Sequence, residues 1–352
     1  GYTATLAQNS NGTGASVNYV AADGDLKIGA LPAGLNNQVR FIRVYPWHWV
    51  SKKGSCDVSA ADLDAKWYYN WNVTWQAANP DYEYVAIKQQ RWWPGLPNPG
   101  DAGYLGVNHV SGYNEPNNPV EDAYTSLNNG DVATAVGAWG ELEGTGLRIG
   151  APAVTDGGRT WILDFMSQAE AAGRRVDYVP IHYYRSYRNN NDPAGAAAQL
   201  YNFLKDIYNQ THKPIWLTEF NNGANWTDDA HDPTAAQNRD VIEAMINMMD
   251  DAPWIERYSI YSRVEWFRQT HYDDGSITPM GAMYRDHEAP IAYQQIIPGE
   301  GMNASAYYDF ENNLDDGSGS GNHGVSHNYP DYVAGHGGGM ALQFDGVEDH
   351  VI

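Results

Sequence analysis

An alternation limits what this chain can fold into more than any other feature. Short apolar and aromatic runs cover residues 39–45, 66–71, 82–90, 104–110, 147–152, 176–184, 213–220 and 255–262. Between them lie segments with helical spacing, at 131–142, 161–172, 196–210 and 234–250, with shorter helices expected from Ser59 and over 74–79. Leu200, Phe203, Leu204 and Ile207 place one apolar stripe on the third long segment, and Gly144 and Gly173 supply helix stops. Strands alternating with helices indicate parallel strands joined by crossover helices. Eight such runs imply the α/β class and a (β/α)8 TIM barrel. A doubly wound open sheet is the alternative. It would bring a glycine-rich phosphate turn, and neither G-x-G-x-x-G after the first run nor a Walker A motif occurs.

The barrel is expected over residues 37–290. Residues 1–36, rich in Gly, Asn, Ala and Thr, read as an N-terminal lead-in of short strands. After Met280 the texture changes. Residues 304–314 and 340–344 alternate like strands, separated by a Gly/Ser/Asn-rich stretch, and Asp345-Gly346 reads as a turn. About fifty residues are too few for a sandwich of about a hundred. Residues 291–352 therefore read as a short C-terminal all-β segment, the start of a jelly-roll sandwich.

A net charge of −22 argues against nucleic acid and against an anionic membrane surface as partners. It would also repel an anionic polysaccharide at long range unless a local basic pocket offset it. Cys56 stands alone, so no internal disulfide or cysteine metal cluster is expected. No apolar stretch is long enough to span a membrane. The start at Gly1, without Met or a basic-then-apolar leader, suggests a trimmed, secreted product, and a monomer is expected. The chain has 25 Tyr and 13 Trp against 7 Phe, a bias toward aromatics with polar handles that suits stacking on sugars.

Active residues of such a barrel sit at the C-terminal ends of its strands. The fourth run leads into Ser111-Gly112-Tyr113-Asn114-Glu115-Pro116-Asn117, where proline stops the ladder. The seventh ends in Glu219. Alone, the first stretch also reads as an exposed turn and Glu219 as a structural carboxylate. Together they can face one another across the barrel mouth. A gap of about 5–5.5 Å would serve retaining glycoside hydrolysis and roughly 6.5–9.5 Å inversion, a choice the sequence leaves open. Glu265 is a rival carboxylate. Arg43, Asn114, His182, Tyr184 and Tyr261 stand at strand ends as well, although His182 also reads as a satisfied core histidine. Arg43 would keep the nucleophile ionised, and nearby negative charge would keep Glu115 protonated. Trp92, Trp93 and Trp266 lead the candidate stacking platforms, ahead of Trp47, Trp49, Trp71 and Trp226, whereas Trp139 and Trp161 read as core. A metal site is not indicated, since no H-E-x-x-H occurs. Nor is a serine elbow, since Gly317-Ser318-Gly319-Ser320-Gly321 has the wrong centre.

Gly-Tyr-Asn-Glu-Pro-Asn at 112–117 and Pro-Ile-Trp-Leu-Thr-Glu-Phe at 214–220 resemble clan A glycoside hydrolases. More narrowly, the chain is similar over about residues 39–285 to the glycosyl hydrolase catalytic core group, the family 128 endo-β-1,3-glucanases. Trp67-x-Tyr69-Asn70-Trp71, Val176-Asp177-Tyr178, His182-Tyr183-Tyr184 and Ile255-Glu256-Arg257-Tyr258 add to the resemblance. It implies a retaining endo-glycosidase that needs no cofactor. Glu115 would be the acid/base and Glu219 the nucleophile, with Asn114 on the sugar 2-hydroxyl and Tyr184 beside the nucleophile. A polysaccharide or oligosaccharide would be the partner, most simply a β-1,3-glucan. The chain departs from the family after the third run, at residues 85–93, and has Tyr183 where the family often has Trp. Lys88, Gln89 and Arg91 there would suit a polar or anionic polymer such as a marine galactan. A non-catalytic carbohydrate-binding barrel is a further alternative. The C-terminal strands resemble the start of a laminin G or concanavalin-like module, a class in which some members bind structural Ca2+.

Overall fold

A computed structural model describes residues 1–21, 26, 28–48, 50–56, 60–73, 82–96, 98, 107–227, 229–291, 308, 310, 312–316, 321–328, 330–334, 340–345 and 348–351. The chain forms two compact units, Gly1–Lys27 with Asn37–Gln295, and Ile28–Asn36 with Ile296–Ile352.

The first unit opens with β1 (Tyr2–Ala7), β2 (Ser16–Ala21) and β3 (Phe41–Pro46), an antiparallel sheet in the order β2-β1-β3. Residues 39–45 were expected to form the first parallel strand, and this pairing corrects that. An alternating run suits a half-exposed antiparallel sheet, whereas a parallel strand is covered on both faces. Arg43 belongs to β3 and donates to the Thr145 carbonyl.

The first parallel strand is instead β4 (Lys53–Cys56), buried at every position. With β5 (Trp67–Tyr69), β6 (Glu83–Tyr84), β10 (Val179–Tyr183), β11 (Ile215–Phe220) and β12 (Ile255–Ile260) it forms a parallel sheet ordered β10-β11-β12-β4-β5-β6. One residue beyond β6, β7 (Ala86–Ile87) begins a second parallel sheet with β8 (His109–Ser111) and β9 (Arg148–Gly150). Parallel bridges Gly150↔Tyr178 and Val154↔Ile181 join the β9 region to the β10 region. A Cβ on Gly54 would lie 2.1 Å from the Trp67 ring, so only glycine lets that ring cross β4.

The helices are α1 (Asp122–Ser126), α2 (Val132–Ala138), α3 (Gly140–Glu143), α4 (Arg159–Ala171), α5 (Pro193–Thr211), α6 (Ala235–Asp251) and α7 (Pro279–Asp286). Their starts follow capping chemistry. Asp131 accepts from the Thr134 amide, Asp192 precedes Pro193, and Thr234 with Gln237 forms a capping box. Residues 60–64 form turns where a helix from Ser59 was expected. Ser59 itself, the expected helix at 74–79, Trp49, residues 104–106 and 317–320, and most of 304–311 lie outside the described residues.

Two adjacent lysines close helix ends. Lys52 Nζ donates to the carbonyls of Met249 (2.6 Å), Asp250 (2.9 Å) and Ala252 (3.0 Å) at the end of α6. Lys53 Nζ donates to those of Tyr284 (3.0 Å), Arg285 (2.7 Å) and His287 (2.7 Å) at the end of α7. A cation there satisfies orphan acceptors and complements the helix dipole.

Inside the strands lies a buried ionic network. Glu83 accepts from Arg257 (2.7 Å) and contacts His109 Nδ1 (2.7 Å). Glu256 accepts twice from Arg148 (2.7 and 2.8 Å) and once from Trp216 Nε1 (3.2 Å). Arg257 lies 4.3 Å from the centre of the Trp216 ring.

The second unit holds two antiparallel pairs, β13 (Ser326–His327) with β16 (His350–Val351), and β14 (Asp331–Ala334) with β15 (Met340–Gln343).

Replacing Lys52 by Met keeps much of the stem but leaves three helix-end carbonyls without their donor. Lys52→Met should lower stability by about 2–4 kcal/mol in reversible chemical unfolding. An unchanged midpoint would show that the ammonium is not what closes α6.

Candidate active site

The segment after β8 carries Glu115 in a left-handed backbone conformation, φ 44°. Few residues other than glycine adopt it, and here the surroundings enforce it. The Glu115 amide donates to the Ala153 carbonyl (2.7 Å), and the Glu115 carbonyl accepts from the Asn118 amide (2.9 Å). The side chain is thereby fixed against two partners. Oε1 lies 2.7 Å from His182 Nδ1 on β10, and Oε2 accepts from Asn118 Nδ2 at 2.8 Å.

Glu219, on β11, is surrounded by neutral donors. Tyr69 OH (3.0 Å) and Trp71 Nε1 (2.9 Å) donate to Oε1, and Tyr184 OH (2.6 Å) donates to Oε2. Trp71 is also left-handed, φ 54°. His182 Nδ1 stands 3.5 Å from Glu219 Oε2, so one imidazole nitrogen faces both acids. One ligand atom from each of Glu115, His182 and Glu219 lies within 4.8 Å of the others. Two carboxylates and an imidazole could in principle hold a cation. Here both Glu219 oxygens already accept protein donors, and Nδ1 is directed at Glu115.

Charge and burial compete at this site. Burial disfavours the His182 cation, but the charge of Glu219 and the hydrogen bond and charge of Glu115 outweigh it and raise the imidazole above its ordinary value. Burial would push Glu115 up, but His182 and Asn118 hold it below the ordinary carboxylate range. Both directions favour the shared proton on His182, opposite to the expectation that nearby negative charge keeps Glu115 protonated. Burial and the Glu219 charge push the Tyr69 and Tyr184 phenols well up, so both remain donors. Burial and the Glu115 charge also raise Glu121, a third carboxyl facing the same space.

A cleft of about 1020 Å³ opens over the two acids. Its lining brings Gln89, Asn114, Glu115, Tyr184, Glu219 and Tyr261 together, with Trp71 and Trp226 from the lesser stacking candidates, and adds Asn118, Glu121 and Asp156. His182 lies buried beneath them. The Tyr184 ring meets those of Trp226 at 5.1 Å and Tyr261 at 5.5 Å, edge to face, and makes an aromatic wall.

Other expected residues fall elsewhere. Arg43 is on β3, and the groups that reach Glu219 are neutral donors instead. Lys88 is buried and donates to the Pro94 carbonyl at 2.9 Å. Trp92, Trp93 and Trp266 are exposed and do not line the cleft. Trp47 is buried. Glu265 pairs with Arg268 at 2.9 Å. Asn118 and Glu121 carried no signal beyond lying within six residues of Glu115. Tyr69 could have been found, since it ends an aromatic strand two residues before the stacking candidate Trp71.

Two acids at parallel strand ends, facing a sugar-sized cleft walled by aromatic rings, define a glycoside hydrolase. Within that class, the chain belongs to the glycosyl hydrolase catalytic core family, whose profile matches residues 45–284. It is similar to the crystal structure of a GH128 (subgroup I) endo-β-1,3-glucanase mutant from Amycolatopsis mediterranei in complex with laminaripentaose. That likeness has 28% identity and a TM-score of 0.56, over 67% of this chain and 99% of that one. A GH128 (subgroup II) endo-β-1,3-glucanase from Sorangium cellulosum shares the fold at 23% identity and a TM-score of 0.52, over 68% of this chain and 99% of that one. Alkali-sensitive linkage protein 1 of Schizosaccharomyces pombe is 27% identical over 203 residues, 56% of this chain. The chain spans 34% of the length of that curated relative.

Protonated His182 favours the folded state, because its folded value is raised. That contribution is complete below the free imidazole value of about 6.5 and fades as pH rises through the raised folded value. His182→Gln should therefore cost more thermal stability near pH 6 than near pH 9. A melting-temperature difference independent of pH would refute the shared proton.

Proposed function

We propose that this chain hydrolyses a β-1,3-linked glucan with retention of anomeric configuration. The observation that carries the reading is the approach of Glu115 and Glu219, whose offered oxygens lie within 4.8 Å. Retaining enzymes hold their carboxyls about 5–5.5 Å apart, and inverting ones leave room for a water. We further read the parallel strands as one closed (β/α)8 barrel, supported by the bridges between the β9 and β10 regions. The similar Amycolatopsis mediterranei protein, an endo-β-1,3-glucanase in complex with laminaripentaose, supports the substrate. The galactan alternative rested partly on Lys88, which is buried against Pro94. An extracellular setting suits a polymer substrate, and among the described residues no helix is long and apolar enough to cross a membrane. The C-terminal unit is read as the start of a laminin G-like module, supported by its two antiparallel pairs.

Glu219 attacks the anomeric carbon and forms a glycosyl ester as the bond to the leaving sugar breaks. The leaving oxygen takes a proton from Glu115, which draws it from His182 Nδ1. Loss of the Glu219 charge on attack removes one of the two anions that hold that proton on the imidazole, so the transfer coincides with bond cleavage. Glu115 then takes a proton from water and returns it to His182 Nδ1. The water oxygen bonds to the anomeric carbon, and Glu219 departs as a carboxylate.

Laminarin, mixed-linkage glucan, agarose and carrageenan, each incubated with the protein, separate the readings. The glucans should be cut, with the β-anomer appearing first by proton NMR. First appearance of the α-anomer would exclude retention, and binding without cleavage of any polymer would indicate a carbohydrate-binding protein. Glu219→Ala should lower kcat by roughly 10⁴-fold or more while laminari-oligosaccharide binding persists.

A further inference from the structure

Beside the cleft lies a side chamber of about 350 Å³. It shares Asp156, Tyr184 and Thr227 with the cleft lining, so the two spaces meet at the residue that donates to Glu219. The rest of its wall differs in chemistry, and includes Arg185, Arg188 and His231 together with Ser186 and Gln199. Its volume suits a single sugar unit more than a second polymer groove.

The charges do not cancel there. Arg185 Nε stands 3.6 Å from Asp156 Oδ1, and its guanidinium lies 4.6 Å from the centre of the Phe203 ring, which fixes its plane. Asp156 also accepts from the Tyr184 amide at 3.1 Å. Its carboxylate is thus matched by Arg185. Arg188 is exposed and has no protein partner among the described residues. The chain has 43 acidic and 21 basic residues, so a cation left without a carboxylate among the described residues stands out locally from Arg185 beside it. The chamber therefore carries net positive charge inside a molecule whose overall field is negative. A guanidinium fork recognises planar or tetrahedral oxyanions, and the neighbouring hydroxyl and amide groups suit sugar hydroxyls.

We propose that this chamber is an anion-accepting sugar subsite. On the reading of the cleft given above, it selects glucan chains that carry an oxyanion, a carboxylate or a sulfate ester, on a unit next to the cleavage point. Long-range repulsion by the chain's net charge opposes such a substrate, so discrimination comes from short-range contact.

The test compares neutral laminari-oligosaccharides with the same oligomers oxidised to carboxylates at C6, and with O-sulfated ones. Wild type should show kcat/KM higher by about five- to tenfold on at least one anionic series. Arg188→Ala should bring the anionic-to-neutral ratio close to one, and Arg188→Lys should restore part of it. The series that responds identifies the oxyanion. Equal rates on neutral and anionic oligomers, or a ratio untouched by Arg188→Ala, overturns the subsite and leaves the cleft reading standing. Should no oligomer be cut, calorimetric titration of the carboxylated and sulfated oligomers decides the subsite separately. Tighter binding than neutral oligomers, lost in Arg188→Ala, supports it, and equal binding overturns it.

Discussion

The buried ions inside the strands are the constraint on which the rest of the first unit depends. Glu83, His109, Arg148, Glu256 and Arg257 are each at most 5% exposed. Isolated charges there would be prohibitive, and removing one partner of such a set costs about 3–5 kcal/mol. The set is tolerable because it balances. Burial pushes His109 down to about 4, so it is neutral at ordinary pH, while Arg257 and His109 together hold Glu83 down to about 2 despite its burial. Two carboxylates then face two guanidiniums. Their hydrogen bonds are directional, and they join β6 and β8 to β9 and β12, with Trp216 of β11 donating to Glu256. Apolar packing alone tolerates a strand sliding along its neighbour. A bidentate pair does not.

That fixed register decides what the strand ends deliver. His182 leaves β10 beside Glu219 on β11, and the two are partners in the ladder itself. Glu115 arrives from beyond β8 through a left-handed residue, and Trp71 reaches Glu219 through another. The strain is local and held by backbone hydrogen bonds, a pattern common where side-chain aim matters more than backbone ease. The use of neutral phenol and indole donors on Glu219 follows the same logic. A cation such as the expected Arg43 would have competed with His182 for the shared negative charge. Neutral donors orient Glu219 and leave the imidazole as the basic group that both acids face.

Much of this was legible in the sequence, and the failures have physical reasons. Glu115 and Glu219 stood out because a strand end followed by a loop is a visible pattern. Seven of the eight expected runs hold parallel strands, the third of them split into β6 and β7, and one run was wrong. Residues 39–45 alternate clearly because one face of their sheet is wet, and that clarity was the misleading signal. Lys53-Gly54-Ser55-Cys56 carries no apolar pattern, since a lysine stem, a glycine under Trp67 and two small residues can be buried without one. Trp92 and Trp93 drew attention by type, whereas Trp71 and Trp226 line the cleft by position, which only the fold sets. Lys88 looked like a substrate contact because nothing local shows that its ammonium turns inward to Pro94.

The scarcity of positive charge makes its placement informative. Lys52 and Lys53 close helices, Arg148 and Arg257 balance buried acids, and Arg268 sits between Asp232 and Glu265. Arg159, Arg174, Arg175 and Arg285 each meet a carboxylate as well. Internal pairing is common, as expected where acids outnumber bases two to one and every cation lies in a negative field. Against that field, an arginine that faces an open chamber rather than an acid lacks the Coulombic reward its neighbours gain. Arg188 is such a residue, one wall away from the phenol that donates to Glu219. A solvated arginine on a bare surface would need no explanation. One that converges with Arg185 and His231 on a concave, hydroxyl-lined space has the geometry of a contact awaiting its counter-charge.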